Sequence, residues 1–202
     1  MLVSDGLSHK QLRQALRQRR RALSSQQQQH AAKKLALRLI RHPLFIKCKK
    51  IAFYQAIDGE INPQYLLHLA LARGKHCYLP VLRRFPNAQL GFVRIHANTR
   101  LYRHRWGIKE PRQQHKRRIN QLDMVCMPLV GFDRYGHRLG MGGGFYDRSL
   151  ANCHQRVIKL GLAHDCQEVD RLIPQPWDIA IDAIATPTKQ QWFKTTKNVI
   201  DG

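Results

Sequence analysis

The sequence predicts a single α/β domain with a layered, largely parallel sheet flanked by helices, of the Rossmann-like doubly wound kind. Three observations carry that prediction. Helix-period and strand-period segments alternate through most of the chain, as βα units do. The 202 residues, 43% of them hydrophobic, suffice for one substantial core. An apolar run ending at Pro128–Val130 leads into a glycine cluster and then a helix start, an order that describes an anion cradle.

Composition narrows the setting. No apolar run approaches the roughly 20 residues of a membrane span, and the N-terminus lacks a secretory apolar core. Five cysteines, at 48, 77, 126, 153 and 166, include no C-x-x-C pair. They read as reduced thiols in a cytoplasmic protein, without a cysteine-based metal site. Thirty-five Lys and Arg against thirteen Asp and Glu leave a net charge of +22. That field suits polyanions, whether nucleic acid, nucleotides or a polyglutamylated substrate. Equally, it fits the background of a basic proteome.

The elements follow in order. Ser8 caps a helix from His9 to Leu23 whose apolar side is Leu12, Ala15, Leu16 and Leu23. Lys10, Arg13, Arg17 and Arg20 stack along another face and read as a mostly solvated basic stripe. Ser24 and Ser25, with Gln27 and Gln28 three residues on, form a capping box for a second helix, which His42-Pro43 stops. Lys50–Ala56 is a buried strand running into Ile57-Asp58-Gly59-Glu60, and Asn62-Pro63 opens a helix that ends at Gly74. Glu60 therefore sits on a loop after a strand, where open α/β sheets bind ligands; alone, it reads as a solvated acid.

His76–Leu82 and Leu90–Ile95 are further strands. Gln113–Asn120 is a basic connector, and Gln121–Val130 is the central strand. Tyr146–Cys153 forms a helix, Val157–Ala163 a strand and Asp178–Ala185 the last strand. The polar chain from Thr188 to 202 is expected to fray.

The most informative stretch is P-L-V-G-F-D, then R-L-G-M-G-G-G-F-Y-D-R from Arg138 to Arg148. Its glycines are Gly140, Gly142, Gly143 and Gly144. It is not the usual nucleotide loop, because the spacing is not G-x-G-x-x-G and no Gly-Lys-Ser/Thr follows. The stretch closely resembles the signature of the 5-formyltetrahydrofolate cyclo-ligase (5,10-methenyltetrahydrofolate synthetase) family. Further matches are K-Q-L-R at Lys10–Arg13, Y-x-x-x-x-G-E-I ending at Glu60–Ile61, G-I-K-E-P after Trp106, and the C-terminal D-I-A-I-D-A-I-A-T-P.

The resemblance implies ATP-driven, Mg²⁺-dependent closure of 5-formyltetrahydrofolate to 5,10-methenyltetrahydrofolate, with ATP as co-substrate. It implies ATP contacts from Lys10 and Arg13, with His9 the alternative in the lysine register. Arg138, Leu139, Gly140, Met141, Gly142, Gly143, Gly144, Phe145 and Tyr146 complete the ATP set, and Arg138 and Lys10 are the catalytic cations. Gln55, Glu60 (for the pterin), Trp106, and Met141 to Tyr146 would contact the folate, polyglutamylated or not. Asp147 and, secondarily, Asp178 would hold Mg²⁺. Trp106 reads equally well as a core anchor or an aromatic wall.

Phe145 stands where many relatives have Tyr, and Trp177 where the family commonly has His. The expected protein is a monomer with no membrane partner and no specific nucleic-acid partner. Two rivals stand beside this reading. One is a basic nucleic-acid binder, which explains the charge but not the glycine signature. The other is an ATP-binding relative acting on a different heterocycle.

Overall fold

A computed structural model describes residues 6–82, 89–103, 109–111, 115–151, 153 and 157–193. The first helix, α1 (His9–Arg21), begins as its sequence dictates. The Ser8 hydroxyl accepts from the Gln11 N–H at 3.3 Å, and the Gln11 side chain accepts from the Ser8 N–H at 2.9 Å. Ser24 and Gln27 repeat the device for α2 (Ser25–Leu39). His42-Pro43 does stop α2, but it also starts α3 (Pro43–Lys47). Proline occupies the first turn, where no donor is needed, and the His42 ring accepts from the Leu44 N–H.

Seven strands form the main sheet, named here in chain order: β1 (Lys50–Ala52), β2 (His76–Leu82), β3 (Leu90–Ile95), β6 (Met124–Pro128), β9 (Ile158–Leu162), β10 (Ala183–Ala185) and β11 (Gln190–Trp192). Across the sheet they run β11-β10-β9-β6-β1-β2-β3, all parallel except the antiparallel edges β3 and β11. Helix α4 (Gln64–Ala72) joins β1 to β2, and Gly74, at φ +71°, releases the chain from it. The chain leaves β1 in one direction and β6 in the other, so the topological switch point lies between them. Open α/β sheets bind ligands there, beyond the strand C-termini.

Side chains alternate across the strands. Ile51, Phe53, Met124 and Cys126 meet α2 and α4 on one face. Ala52, Val125 and Met127 meet Leu150 of α5 (Phe145–Leu150) and the 3₁₀ turn Ile119–Gln121 on the other. A third cluster places Leu12 and Leu16 of α1 against Val130, Leu139, Val169 and Leu172, setting α1 over the ligand end of the sheet.

Two small ribbons were not foreseen: β4 (Leu101–Arg103) with β5 (Lys109–Pro111), and β7 (Gly131–Phe132) with β8 (Arg138–Leu139). The central strand expected at 121–130 spans only 124–128, and the second ribbon follows it. Its turn is organised by buried Asp133, which accepts from the N–H groups of Tyr135, His137 and Leu172 at 2.9–3.0 Å and pairs with the His137 ring. The strands expected at 50–56 and 178–185 pair over only three residues each. Beyond Thr188 the chain still pairs as β11, where Trp192 stacks on His42 with centroids 4.7 Å apart. Among the described residues, no helix is long and apolar enough to cross a membrane.

Candidate active site

A cavity of about 640 Å³ opens at the switch point. Tyr54, Gln55, Ile57 and Glu60 enter it after β1, Pro80–Leu82 from the end of β2, and Pro128 from the end of β6. The glycine stretch 140–144 closes one side, and Asp147, Gln175, Trp177 and Asp178 close another. Residues from His9 to Asp178 are thus brought to one place by the fold's connectivity.

The glycine stretch is shaped by its backbone. Gly142 and Gly144 lie at φ +95° and +62°, a region that L side chains rarely adopt, and Gly144 caps α5. Two arginines hold the loop by its carbonyls. Arg13 Nε donates to the Gly140 carbonyl at 2.9 Å, and Arg148 donates to the Gly143 carbonyl at 2.6 Å. Both of these loop carbonyls are thus engaged by guanidinium groups.

Arg138 is only 8% exposed and donates to Asp147 Oδ1 at 2.7 Å; its Nε is buried with no partner among the described residues. A buried guanidinium with a spare donor suits an anionic oxygen. Asp147 Oδ1 also accepts from the Ile179 N–H at 3.1 Å, while Asp178 Oδ2 accepts from the Gln175 N–H at 2.8 Å. These bonds fall on one oxygen of each carboxylate. Two carboxylates beside an anion cradle suit a hard cation that takes its other ligands from phosphate and water. The described residues contain no cluster of three or more His, Cys, Asp or Glu side chains able to hold a metal alone.

The opposite side of the cavity is drier. Glu60 is buried, and its Oε2 accepts from the Ile57 N–H at 3.1 Å. Burial pushes its carboxyl up to about 7; the Ile57 N–H and the Arg20 guanidinium offset part of that rise. Tyr54 donates to the Ile61 carbonyl at 2.7 Å, and burial, reinforced by the nearby Glu60, raises the phenols of both Tyr54 and Tyr146.

Of the residues singled out from sequence, Arg13, Gln55, Glu60, Arg138, Leu139, Gly140 to Tyr146, Asp147 and Asp178 all line this cavity. Lys10 does not; it is exposed on α1, and His9, the alternative in that register, lines the cavity with its ring on the Ile173 carbonyl. Trp106 lies outside the described residues. Tyr54, Glu110, Gln175 and Trp177 line the cavity without having been singled out as ligand contacts.

The largest departure is Arg20. The sequence puts it in the solvated basic stripe; the structure buries it completely. The missed signal is that Leu12, Leu16 and Arg20 recur every four residues, which places Arg20 on the apolar stripe of α1. Cysteine chemistry has no support here. Burial pushes the Cys48 and Cys77 thiols up to about 11 and 12 and that of Cys126 higher still.

With the geometry in hand, comparison with known proteins gives one consistent result. Residues 6–187 match the model of the 5-formyltetrahydrofolate cyclo-ligase family. The chain is 41% identical over 177 residues to the 5-formyltetrahydrofolate cyclo-ligase of Escherichia coli (strain K12), covering 86% of this chain and 97% of that protein. It is 39% identical to the Haemophilus influenzae protein of the same name, covering 85% and 93%. The solved structure of Aquifex aeolicus 5,10-methenyltetrahydrofolate synthetase superposes with a TM-score of 0.82 at 29% identity, covering 96% of this chain and 97% of that one. The signature residues, the fold and these relationships agree: the chain belongs to the 5-formyltetrahydrofolate cyclo-ligase family of ligases.

Proposed function

We propose that the protein converts 5-formyltetrahydrofolate to 5,10-methenyltetrahydrofolate with consumption of ATP. The observation that carries this reading is the pairing, in one cavity, of a buried acid with a cationic glycine loop. The N-formyl carbon is a weak electrophile because amide resonance feeds it electrons. Transfer of the ATP γ-phosphoryl group to the formyl oxygen, with ADP as the leaving group, creates an iminium phosphate. N10 of the same substrate then attacks that carbon, the C–O bond breaks with its electron pair leaving on phosphate, and the N10 proton is lost to water or phosphate.

Such a transfer needs positioning and charge neutralisation rather than a protein nucleophile. In this reading the N–H groups of Gly140–Gly144 and the guanidiniums of Arg138 and Arg13 bind the triphosphate, with His9 at the mouth in the place expected of Lys10. Asp147, with Asp178 second, would hold Mg²⁺, which when bound supplies neutralisation of phosphate charge. Glu60 accepts from the adjacent N–H donors of the pterin ring, and such charge-assisted pairs are the stronger kind of hydrogen bond. Gln55 and Tyr146 flank the ring, and Trp106 is proposed as an aromatic wall.

The test is growth of methenyl absorbance on mixing protein, 5-formyltetrahydrofolate, Mg²⁺ and ATP. Growth that requires ATP and disappears in Asp147→Ala is the expected result. A protein that binds ATP yet yields no methenyl product would refute the reading in favour of a different heterocyclic substrate.

A further inference from the structure

Arg20 occupies a position that neither the signature nor the reaction requires. Its Nε donates to the Asp58 carbonyl at 2.8 Å and its Nη2 to Asp58 Oδ2 at 2.8 Å. Its Nη1 donates to the Leu129 carbonyl at 3.2 Å. Nη2 also stands 3.9 Å from Glu60 Oε1 and 3.8 Å from Met141 Sδ. One side chain of α1 therefore touches the turn bearing the acid, the chain after β6, and the tip of the glycine loop.

The turn needs such a holder. Asp58 and Gly59 lie at φ +54° and +73°, two successive left-handed residues, and only the second is glycine. Arg17 and Arg21 also pair with the Asp58 carboxylate, but both are substantially exposed, at 36% and 53%. Buried His164 also lies against the Gly59 backbone.

We propose that Arg20 is a positioning residue for the folate acid: it locks the Asp58–Gly59 turn so that Glu60 faces the glycine loop at a fixed separation. A guanidinium is suited to this because it offers several donors in a rigid plane, so one group meets a backbone carbonyl, a carboxylate and a neighbouring loop at once. Lysine keeps the charge but loses the fork. The inference deepens the folate reading of the cavity and rests on it.

The groups facing Glu60 are Arg20 from α1, Asp58 in its own turn, Tyr54 after β1 and Tyr146 from α5. Arg20 is the cation among them, so its removal has a signature distinct from simple loosening.

The experiment compares wild type, Arg20→Lys and Arg20→Met in two readouts. One is steady-state KM for each substrate; the other is the titration midpoint of the Glu60 carboxyl, followed by carbon-labelled glutamate NMR. Arg20→Met should raise KM for 5-formyltetrahydrofolate at least tenfold, leave KM for ATP within twofold, and move the Glu60 midpoint upward. Arg20→Lys should raise the folate KM but leave the midpoint near wild type, separating geometry from charge. Should Arg20→Met not fold, Arg20→Lys alone decides: an unchanged folate KM overturns the proposal. Equal folate KM and equal midpoints in all three proteins overturn it as well. If wild type fails to turn over the folate at all, the functional reading fails; the midpoints then decide the role of Arg20, and an unshifted one overturns it.

Discussion

The two sides of the cavity are built on opposite principles. The glycine-loop side draws most of its groups from one stretch: Arg138, the glycines and Asp147 lie within ten residues, Arg13 and Asp178 join them from elsewhere, and Arg138 is buried against Asp147. The Glu60 side is non-local: Arg20, forty residues away, stands 3.9 Å from Glu60 Oε1, and Glu60 follows a turn held in left-handed conformations. A site drawn mostly from one stretch should tolerate the loss of a distant contact better than a site that such a contact joins. The dry side also carries a displaced proton equilibrium, because burial rather than charge pairing dominates Glu60.

The sharpest way to break the comparison is Glu60→Gln. The folate loses a charged partner in a buried site, so kcat/KM for 5-formyltetrahydrofolate should fall between about a hundredfold and a thousandfold. ATP affinity, measured by calorimetry, should stay within about twofold, since the phosphate side is separately built. The mirror experiment is Arg138→Met. It removes a buried cation from the phosphate side and should lower kcat by about a hundredfold, with folate binding nearly unchanged.

Protonation sharpens the contrast. The Glu60 carboxyl rises from its ordinary 4.5 to about 7 in the folded protein, so its stabilising contribution is complete below 4.5 and is lost as pH rises through 7. Glu60→Gln should therefore raise the melting temperature at pH above 7 and hardly change it near pH 4.5, the difference being at most about 3 kcal/mol. Asp58 behaves in the opposite sense. Hydrogen bonds from Arg17, Arg21 and Arg20 outweigh burial and hold it down at about 2, so its contribution is present above 3.8 and lost as pH falls toward 2. An acid melt of Asp58→Asn should lack that loss.

The smallest effect is ionic. Raising salt should weaken ATP binding severalfold through screening of the exposed cations, while the buried Glu60 contact should move less.

Much of this was legible in the chain. Ser8 with Gln11 and Ser24 with Gln27 announce both capped helices, and the strand–glycine–helix order announces the loop that lines the cavity, because these signals are short-range. Arg20 was not, since a stripe of arginines on a helix resembles a solvated face until Leu12 and Leu16 are seen to set the buried side. The β7–β8 ribbon was missed for a similar reason: the bond from the Leu172 N–H to Asp133 that organises its turn joins segments far apart in sequence. Strand lengths at 50–56 and 178–185 were overestimated because apolar content continues where pairing stops.

The most direct test of the central claim follows the formyl oxygen. Substrate carrying a heavy-oxygen label in the formyl group should deliver that label into the released inorganic phosphate, one atom per turnover, because the formyl oxygen leaves as part of the phosphate. Label appearing in water, with unlabelled phosphate, would contradict phosphoryl transfer to the folate in this cavity.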